Sequence, residues 1–335
     1  MSDTFRADTP IDLLLSDTVD RQHGPRFDAL AHAAGVRLRR HPLSRAAQAL
    51  PDLNAAFFSR EMYADSTLHR PGPLSNAFFE VADAAPNLRW LHVFSSGRDL
   101  PQYAASLARG VRLTTSTGVS AKPIAQTAVA AIMAQSRGFG HWLSAQSRRE
   151  WTPMRGDARP PELESLRVVL LGTGAIGGEI ARLLTALGLH VTAVRRRPDP
   201  HPSCAAVLPM DQLDSVLPGC DWLVLALPLT PDTANLVDAR RLALLPPHAR
   251  IANVARGELI DEPALTQALE AGRLAGAYLD SFVKEPLPQD SALWRLPSVW
   301  ISPHDSVASR GHEDRVVDAF VRELETELRN RRAAA

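Results

Sequence analysis

The sequence is poor in the features that mark several protein classes. It has two cysteines in 335 residues, Cys204 and Cys220. That is too few for a disulfide framework or a cysteine-rich zinc site, and no metal site is expected. Basic and acidic residues balance at 37 each, so the electrostatic footprint of a nucleic-acid or acidic-membrane binder is missing. The opening residues MSDTFRADTP carry no apolar core of a signal peptide. Apolar-rich runs such as VAAIMA (residues 129–134) are far too short to span a bilayer. No repeat of fixed period occurs. The expectation is a soluble, cytoplasmic protein with neither nucleic acid nor membrane as partner.

What is present is apolar residues at 45%, over a length that suits two domains. The first third alternates short apolar runs with helical stretches. Residues 11–17, 53–59 and 88–97 read as strands, and residues 26–35 and about 74–84 read as helices. Such alternation predicts a parallel sheet with helices on its faces. One long helix is expected from about residue 120 to 149, with Pro123 tolerated near its start. Residues 151–165, rich in proline and polar side chains, read as a surface loop. A second alternating series follows, with strands at 167–171, 190–194, 222–225, 250–254, 276–279 and 299–302. The tail, 312–330, reads as one amphipathic helix expected to return to the first domain.

The strand run Val168 to Leu171 leads into Gly172-Thr173-Gly174-Ala175-Ile176-Gly177. Ile176, Ile180, Leu183, Leu184 and Leu187 then recur at helical spacing, with Gly188 placed to end the helix. This is the setting in which G-x-G-x-x-G binds a dinucleotide. Gly172 permits a tight turn, Gly174 lets the backbone approach a pyrophosphate, and Gly177 allows close helix–strand packing. Ala175 and Ile176 open the helix whose N-terminus offers free N–H groups. The next strand normally ends at an acidic residue for the ribose hydroxyls. Here Arg195, Arg196 and Arg197 follow it. A guanidinium binds a 2′-phosphate that a carboxylate would repel, so the run points to NADPH/NADP, with NADH/NAD still open. Arg195 and Arg196 are the candidate contacts. The competing reading is a solvated charge cluster.

From LALPLTPDTANLVD (225–238), IANVARGELIDEPAL (251–265), LAGAYLDSFVKEPLP (274–288), ALWRLPSVWISPH (292–304) and RGVRLTTSTGVSAKPIAQ (109–126), the chain strongly resembles the D-isomer-specific 2-hydroxyacid dehydrogenases. Within them it looks most like the NADPH-using glyoxylate/hydroxypyruvate reductases. The resemblance covers roughly residues 88–304. It implies an α/β protein of two doubly wound parallel-sheet domains, a Rossmann cofactor domain (118–304) inserted into a flavodoxin-like substrate domain (1–117, completed by 305–335). It also implies an active site in the cleft and a homodimer formed mainly through the cofactor domains.

The implied reaction is hydride transfer between NADPH and a small 2-oxo acid, giving the D-2-hydroxy acid. The resemblance makes Arg256 the holder of the substrate carboxylate, His304 the general acid and Glu285 its partner. Imidazole changes charge near neutrality, and a neighbouring carboxylate favours its protonated form. Asp280 stands where the family contacts the nicotinamide, and Pro228, Thr230 and Thr233 stand along the adenosine and phosphate track. Asp261 reads instead as the cap of a helix with proline just inside it. SSGRD (95–99) matches the loop whose backbone binds the substrate carboxylate, which places Ser96 and Gly97 there.

Three positions depart from the pattern or stand apart from it. Arg98 replaces a small apolar residue; it either points outward or favours a substrate with a second anionic group. Arg60 ends a strand near the expected cleft and is a candidate substrate contact. Asp305, next to His304, would alter the histidine's proton affinity if it reached the cleft. Two other classes compete. One is an NAD(P)-sensing binding protein or co-regulator on the same scaffold. The other is an oxidase of a small anion, of which the phosphite type keeps the glutamate and the formate type does not.

Overall fold

The computed structural model describes residues 9–46, 50–67, 70–98 and 100–334. Residues 1–8, on which the signal-peptide reading mostly rests, lie outside the described residues, as does Asp99 of the SSGRD loop. The chain divides into two compact units, one of residues up to Val119 together with Ser309 onward, the other Ser120–Ala308.

The first unit is built on β1 (Ile11–Leu15), α1 (Asp17–Ala33), β2 (Leu38–Pro42), β3 (Ala55–Phe58), α2 (Pro73–Ala84), β4 (Trp90–Val93), α3 (Ala104–Ala108) and β5 (Arg112–Thr115). All strands pair in parallel in the order β2-β1-β3-β4-β5. Helix α1 starts well before the expected residue 26. Ser16 caps it, accepting the Val19 N–H at 3.0 Å, and it runs through Gly24 and Pro25, which in sequence look like a break. A Cβ at position 24 would collide with the Arg40 guanidinium, so glycine leaves room for Arg40 to pair with Asp20 and Asp28.

The second unit holds α4 (Ala121–Ser136), α5 (Phe139–Ser147), β6 (Arg167–Leu171), α6 (Ala175–Ala186), β7 (His190–Val194), β8 (Ala206–Leu208), α7 (Leu213–Val216), β9 (Trp222–Leu225), α8 (Ala239–Leu244), β10 (Arg250–Asn253), α9 (Glu262–Glu270), β11 (Gly276–Leu279) and β12 (Val299–Ile301). Its parallel sheet runs β12-β11-β10-β9-β6-β7-β8. Strands β6, β9, β10 and β11 are apolar on both faces and bury two separate cores beneath the flanking helices. The strand order reverses between β6 and β9, the position where doubly wound sheets bind ligands.

The single helix expected over 120–149 is two helices. Gly138 takes φ 75°, a left-handed conformation that ends an α-helix, and α5 begins anew after it. The unit boundaries also fall later than 117/118 and 304/305. The first falls one residue before Ser120, the N-cap of α4. The second falls past Ser306, because residues 305 and 306 are hydrogen-bonded into the second unit.

The chain returns to the first unit through α10 (His312–Ala334). Phe320 stacks on Phe57 at 4.3 Å and sits edge-on to Phe27 at 5.3 Å. Arg112 bonds Glu327 at 2.8 Å. Helix α10 therefore completes the core of a sheet more than two hundred residues upstream.

Candidate active site

The catalytic candidates all lie at carboxyl ends of strands in the second unit. Arg256 follows β10. Asn253 fastens the turn that carries it: its Oδ1 accepts the Ala255 N–H at 3.0 Å and its Nδ2 donates to the Arg256 carbonyl at 2.8 Å. The next residue must be glycine. A Cβ at Gly257 would lie 2.1 Å from the Phe282 carbonyl carbon, so only glycine lets the Arg256 turn pack against the segment that leads to Glu285.

His304 follows β12 and has φ 53°, an uncommon conformation for a residue with a side chain. Its Nδ1 lies 2.9 Å from both carboxylate oxygens of Glu285. Glu285 Oε1 also accepts the Phe282 N–H at 3.1 Å. Burial pushes the Glu285 carboxyl up. The His304 contacts, the Phe282 N–H and the Arg256 charge outweigh that and hold it below the usual carboxylate range. An ionised Glu285 accepts from Nδ1–H, so Nε2 is the nitrogen of this half-exposed ring that Glu285 does not engage. The expected triad Arg256, Glu285 and His304 is thus brought together.

Asp280, at the end of β11, is buried. Its Oδ1 accepts Ser302 Oγ at 2.6 Å, Asp305 N–H at 3.0 Å and Ser306 N–H at 2.9 Å, and Oδ2 accepts Ser306 Oγ. Thr127 Oγ1 adds a bond to the Ser306 carbonyl at 2.9 Å. These groups clamp both sides of His304, so Asp280 positions the loop that carries His304 whatever else it touches. Sequence reading missed this clamp. Its signal was two serines flanking the histidine, Ser302 and Ser306. Asp305, by contrast, has an exposed side chain. Asp261 caps α9 as expected, accepting the Ala264 N–H at 3.0 Å.

The glycine loop joins β6 to α6 at the reversal of strand order. Gly172 has φ 88°. A Cβ at Gly177 would lie 2.0 Å from the Gly172 carbonyl oxygen, whereas nothing lies within 4 Å of the corresponding position at Gly174. Gly177 is therefore a packing glycine, and Gly174 faces open space beside the α6 N-terminus that Ala175 and Ile176 begin. Arg195, just after β7, donates from Nη1 to Thr173 Oγ1 at 2.9 Å, so its guanidinium leans over this loop. Arg196 and Arg197 are exposed. Pro228, Thr230 and Thr233 form one turn: Thr233 Oγ1 accepts the Thr230 N–H at 2.7 Å and donates to the Pro228 carbonyl at 2.8 Å. Among the described residues no group of three or more His, Cys, Asp or Glu could hold a metal ion.

In the first unit, Ser96 and Gly97 follow β4 and are half-buried, while Arg98 is exposed. Ser95 Oγ donates to the Gly97 carbonyl at 2.8 Å and contacts the Tyr103 hydroxyl at 3.0 Å. That shapes the loop with its backbone turned inward on itself.

This topology and these motifs have a family. The chain belongs to the D-isomer specific 2-hydroxyacid dehydrogenases, whose NAD binding domain matches residues 129–306, more than half of the chain. Glyoxylate/hydroxypyruvate reductase A of Serratia proteamaculans is 35% identical over 204 residues, 60% of this chain and 64% of that protein. D-3-phosphoglycerate dehydrogenase of Mycobacterium bovis is 34% identical over 256 residues, 75% of this chain and 47% of that protein. The chain spans less than two thirds of the length of either relative. A solved D-isomer specific 2-hydroxyacid dehydrogenase from Xanthobacter autotrophicus Py2, in complex with NADPH and MES, shares the fold. Its TM-score is 0.68 at 25% identity, over 95% of each chain. No helix of the described residues is long and apolar enough to cross a membrane.

Proposed function

We propose that this chain reduces a small 2-oxo acid to the D-2-hydroxy acid with NADPH as the preferred cofactor. The observation that carries the reading is the His304–Glu285 pair beside Arg256. A guanidinium offers two parallel N–H donors to a substrate carboxylate and fixes the orientation of the adjoining carbonyl. His304 delivers the proton from Nε2 to the oxygen that becomes the hydroxyl. Glu285 keeps Nδ1 protonated, aims the ring and balances the imidazolium charge. Asp280 holds the loop so that this aim is kept.

The residues around the glycine loop fit a nicotinamide dinucleotide. Gly174 leaves space for a pyrophosphate at the α6 N-terminus. Thr173 and Arg195 together offer a hydroxyl and a guanidinium where a 2′-phosphate would lie. When bound, the dinucleotide supplies the hydride. Ser96 and Gly97 are proposed to add backbone N–H donors to the substrate carboxylate. The names of the relatives make glyoxylate and hydroxypyruvate the first substrates to try.

A homodimer accompanies this reading. Phe139, Trp142 and Leu143 of α5 are 45%, 45% and 58% exposed, and Trp151 beyond it is 96% exposed. Four large apolar side chains on and just after one short helix need a cover, and a second copy of the chain supplies it.

The test follows NADPH absorbance with glyoxylate, hydroxypyruvate and a panel of 2-oxo acids. Consumption with at least one of them is expected. No consumption with any, by NADPH or NADH, would leave a nucleotide-binding protein without turnover.

A further inference from the structure

The loop that joins β7 to β8, residues 195–205, lies wholly in the second unit and brings a third side chain to the place where Arg195 leans over the glycine loop. Two bonds hold its shape. Thr185 Oγ1 of α6 donates to the Ser203 carbonyl at 2.8 Å, and the Cys204 N–H donates to the His201 carbonyl at 3.0 Å. His201 is laid against the first turns of α6. Its Nε2 lies 3.1 Å from the point where a Cβ at Gly178 would stand, and the Thr173 carbonyl oxygen lies 3.7 Å from that same point. Glycine at 178 leaves the ring its room. Thr173 is also the residue whose Oγ1 accepts from Arg195 Nη1 at 2.9 Å. His201 and the Arg195 guanidinium are therefore both neighbours of one residue of the glycine loop.

The place of the proton on this ring follows from its other nitrogen. Nδ1 accepts the Ser203 N–H at 3.3 Å, and the Cys204 sulfur lies 3.7 Å from it. Burial raises the Cys204 thiol above its ordinary range, with the Arg195 charge acting in the opposite direction, so the sulfur keeps its hydrogen and turns it to Nδ1. A ring nitrogen that accepts carries no proton, and a neutral imidazole then carries it on the other one. Nε2–H is thus a donor on a half-buried ring, and among the described residues nothing accepts from it. Asp199 does not saturate Arg195 either. Its Oδ2 reaches Nη2 only at 3.9 Å, and its side chain is 73% exposed. A phosphate monoester presents three acceptor oxygens, more than one guanidinium edge engages.

We infer that His201 donates from Nε2 to the 2′-phosphate of NADPH beside Arg195, which makes it a second residue that selects NADPH over NADH. The inference rests on the NADPH reading above and adds a residue to it.

Titration calorimetry of the full-length protein with adenosine 2′,5′-bisphosphate and with 5′-AMP tests this without turnover. The unaltered protein is expected to prefer the bisphosphate. His201→Phe keeps a ring and loses the donor, and should cut that preference about tenfold, the lower end for a hydrogen bond to a charged group. His201→Gln, whose amide nitrogen reaches where Nε2 stood, should keep most of it. His201→Asn is too short to place a donor there, and decides the case if His201→Phe does not fold. A loss of preference below threefold without the donor overturns the inference. So does an equal loss for both ligands, since His201 would then only shape the loop, and so does a loss in His201→Gln as large as in His201→Phe. Equal binding of the two ligands by the unaltered protein is a different failure: it ends the NADPH reading, and the inference falls with it.

Discussion

His304 and Arg195 show how much one side chain's surroundings decide. Without Glu285 the imidazole would be a solvent-facing ring free to turn. With both carboxylate oxygens at 2.9 Å from Nδ1, the orientation of the ring is fixed. His304→Ala should lower turnover by about two orders of magnitude or more, the range for loss of a general acid, while leaving cofactor binding intact. An unchanged rate would remove His304 from the mechanism. Glu285 is held below the usual carboxylate range. Its contribution to stability is therefore complete above its ordinary value and lost only as pH falls through the lowered one. At Arg195, the bond to Thr173 Oγ1 places positive charge over the glycine loop. Arg195→Asp should shift the NADPH-to-NADH ratio of kcat/KM at least tenfold towards NADH, by repulsion of a 2′-phosphate. A ratio that stays put would mean that the phosphate is read elsewhere. That Arg256, Glu285 and His304 would gather at one end of the sheet was legible in the sequence because each lies beyond a strand inside a dense motif. The Asp280 clamp was not. Its partners Ser302, Asp305 and Ser306 are more than twenty residues away and reach it only because β11 and β12 pair in register.

Elements were legible where burial is two-sided. The strands β6, β7 and β9 fall at the residues expected, since their largely apolar runs span only 5, 5 and 4 residues, too short for a helix. The edge strands β2 and β8 were not, whereas β12, also at an edge, falls close to the residues expected. The sequence LRRHP of β2 is charged and half-exposed, and β8 has only three residues, so neither carries a hydrophobic pattern. Their pairing comes from a neighbour's unpaired edge. The long helix failed at Gly138 because conformation, not composition, ends it.

Between β4 and β5 lies a polar element inside an apolar core. Trp90 Nε1 donates to Thr114 Oγ1 at 2.8 Å, His92 Nδ1 meets that same oxygen at 2.8 Å, and His92 Nε2 meets Ser116 Oγ at 3.1 Å. Ser116 Oγ in turn donates to the Val93 carbonyl at 3.1 Å. The chain is satisfied only with a neutral imidazole. Burial, then the charges of Arg112 and Arg322, push His92 down to about 3. The unfolded chain takes up this proton first as pH falls. Stability from this group is thus complete above about pH 6.5 and lost on the way down to about 3, at roughly 1.4 kcal/mol per pH unit. His92→Gln should flatten the pH dependence of urea unfolding across that window by about this slope. Parallel curves for the two proteins would show that His92 is charged in the fold.

At the scale of the whole molecule the open question is what covers α5. The break at Gly138 sets this helix off from α4. A Cβ there would also collide with Met154, so the segment after α5 folds back against the break. Only Ala145 of α5 is buried, and Phe139 and Trp142 touch each other edge-on at 5.3 Å between ring centres. A helix with one buried residue gains little from its own fold, because an isolated helix of nine residues is marginal in water. On the homodimer proposed above, a second copy adds the packing that α5 lacks in one chain. Covering each of these aromatic side chains removes apolar surface worth about 25 cal/mol per Å², and two copies related by a two-fold axis would cover them reciprocally. Replacing Trp142 and Leu143 together by glutamate places like charges across such an interface and should convert the protein to a monomer. Light scattering coupled to gel filtration reads the mass directly. The unaltered chain is expected near twice its 36.4 kDa and the double variant near once that value. A monomeric unaltered protein, or a variant whose mass does not fall, would mean that this face is covered by something other than a second copy.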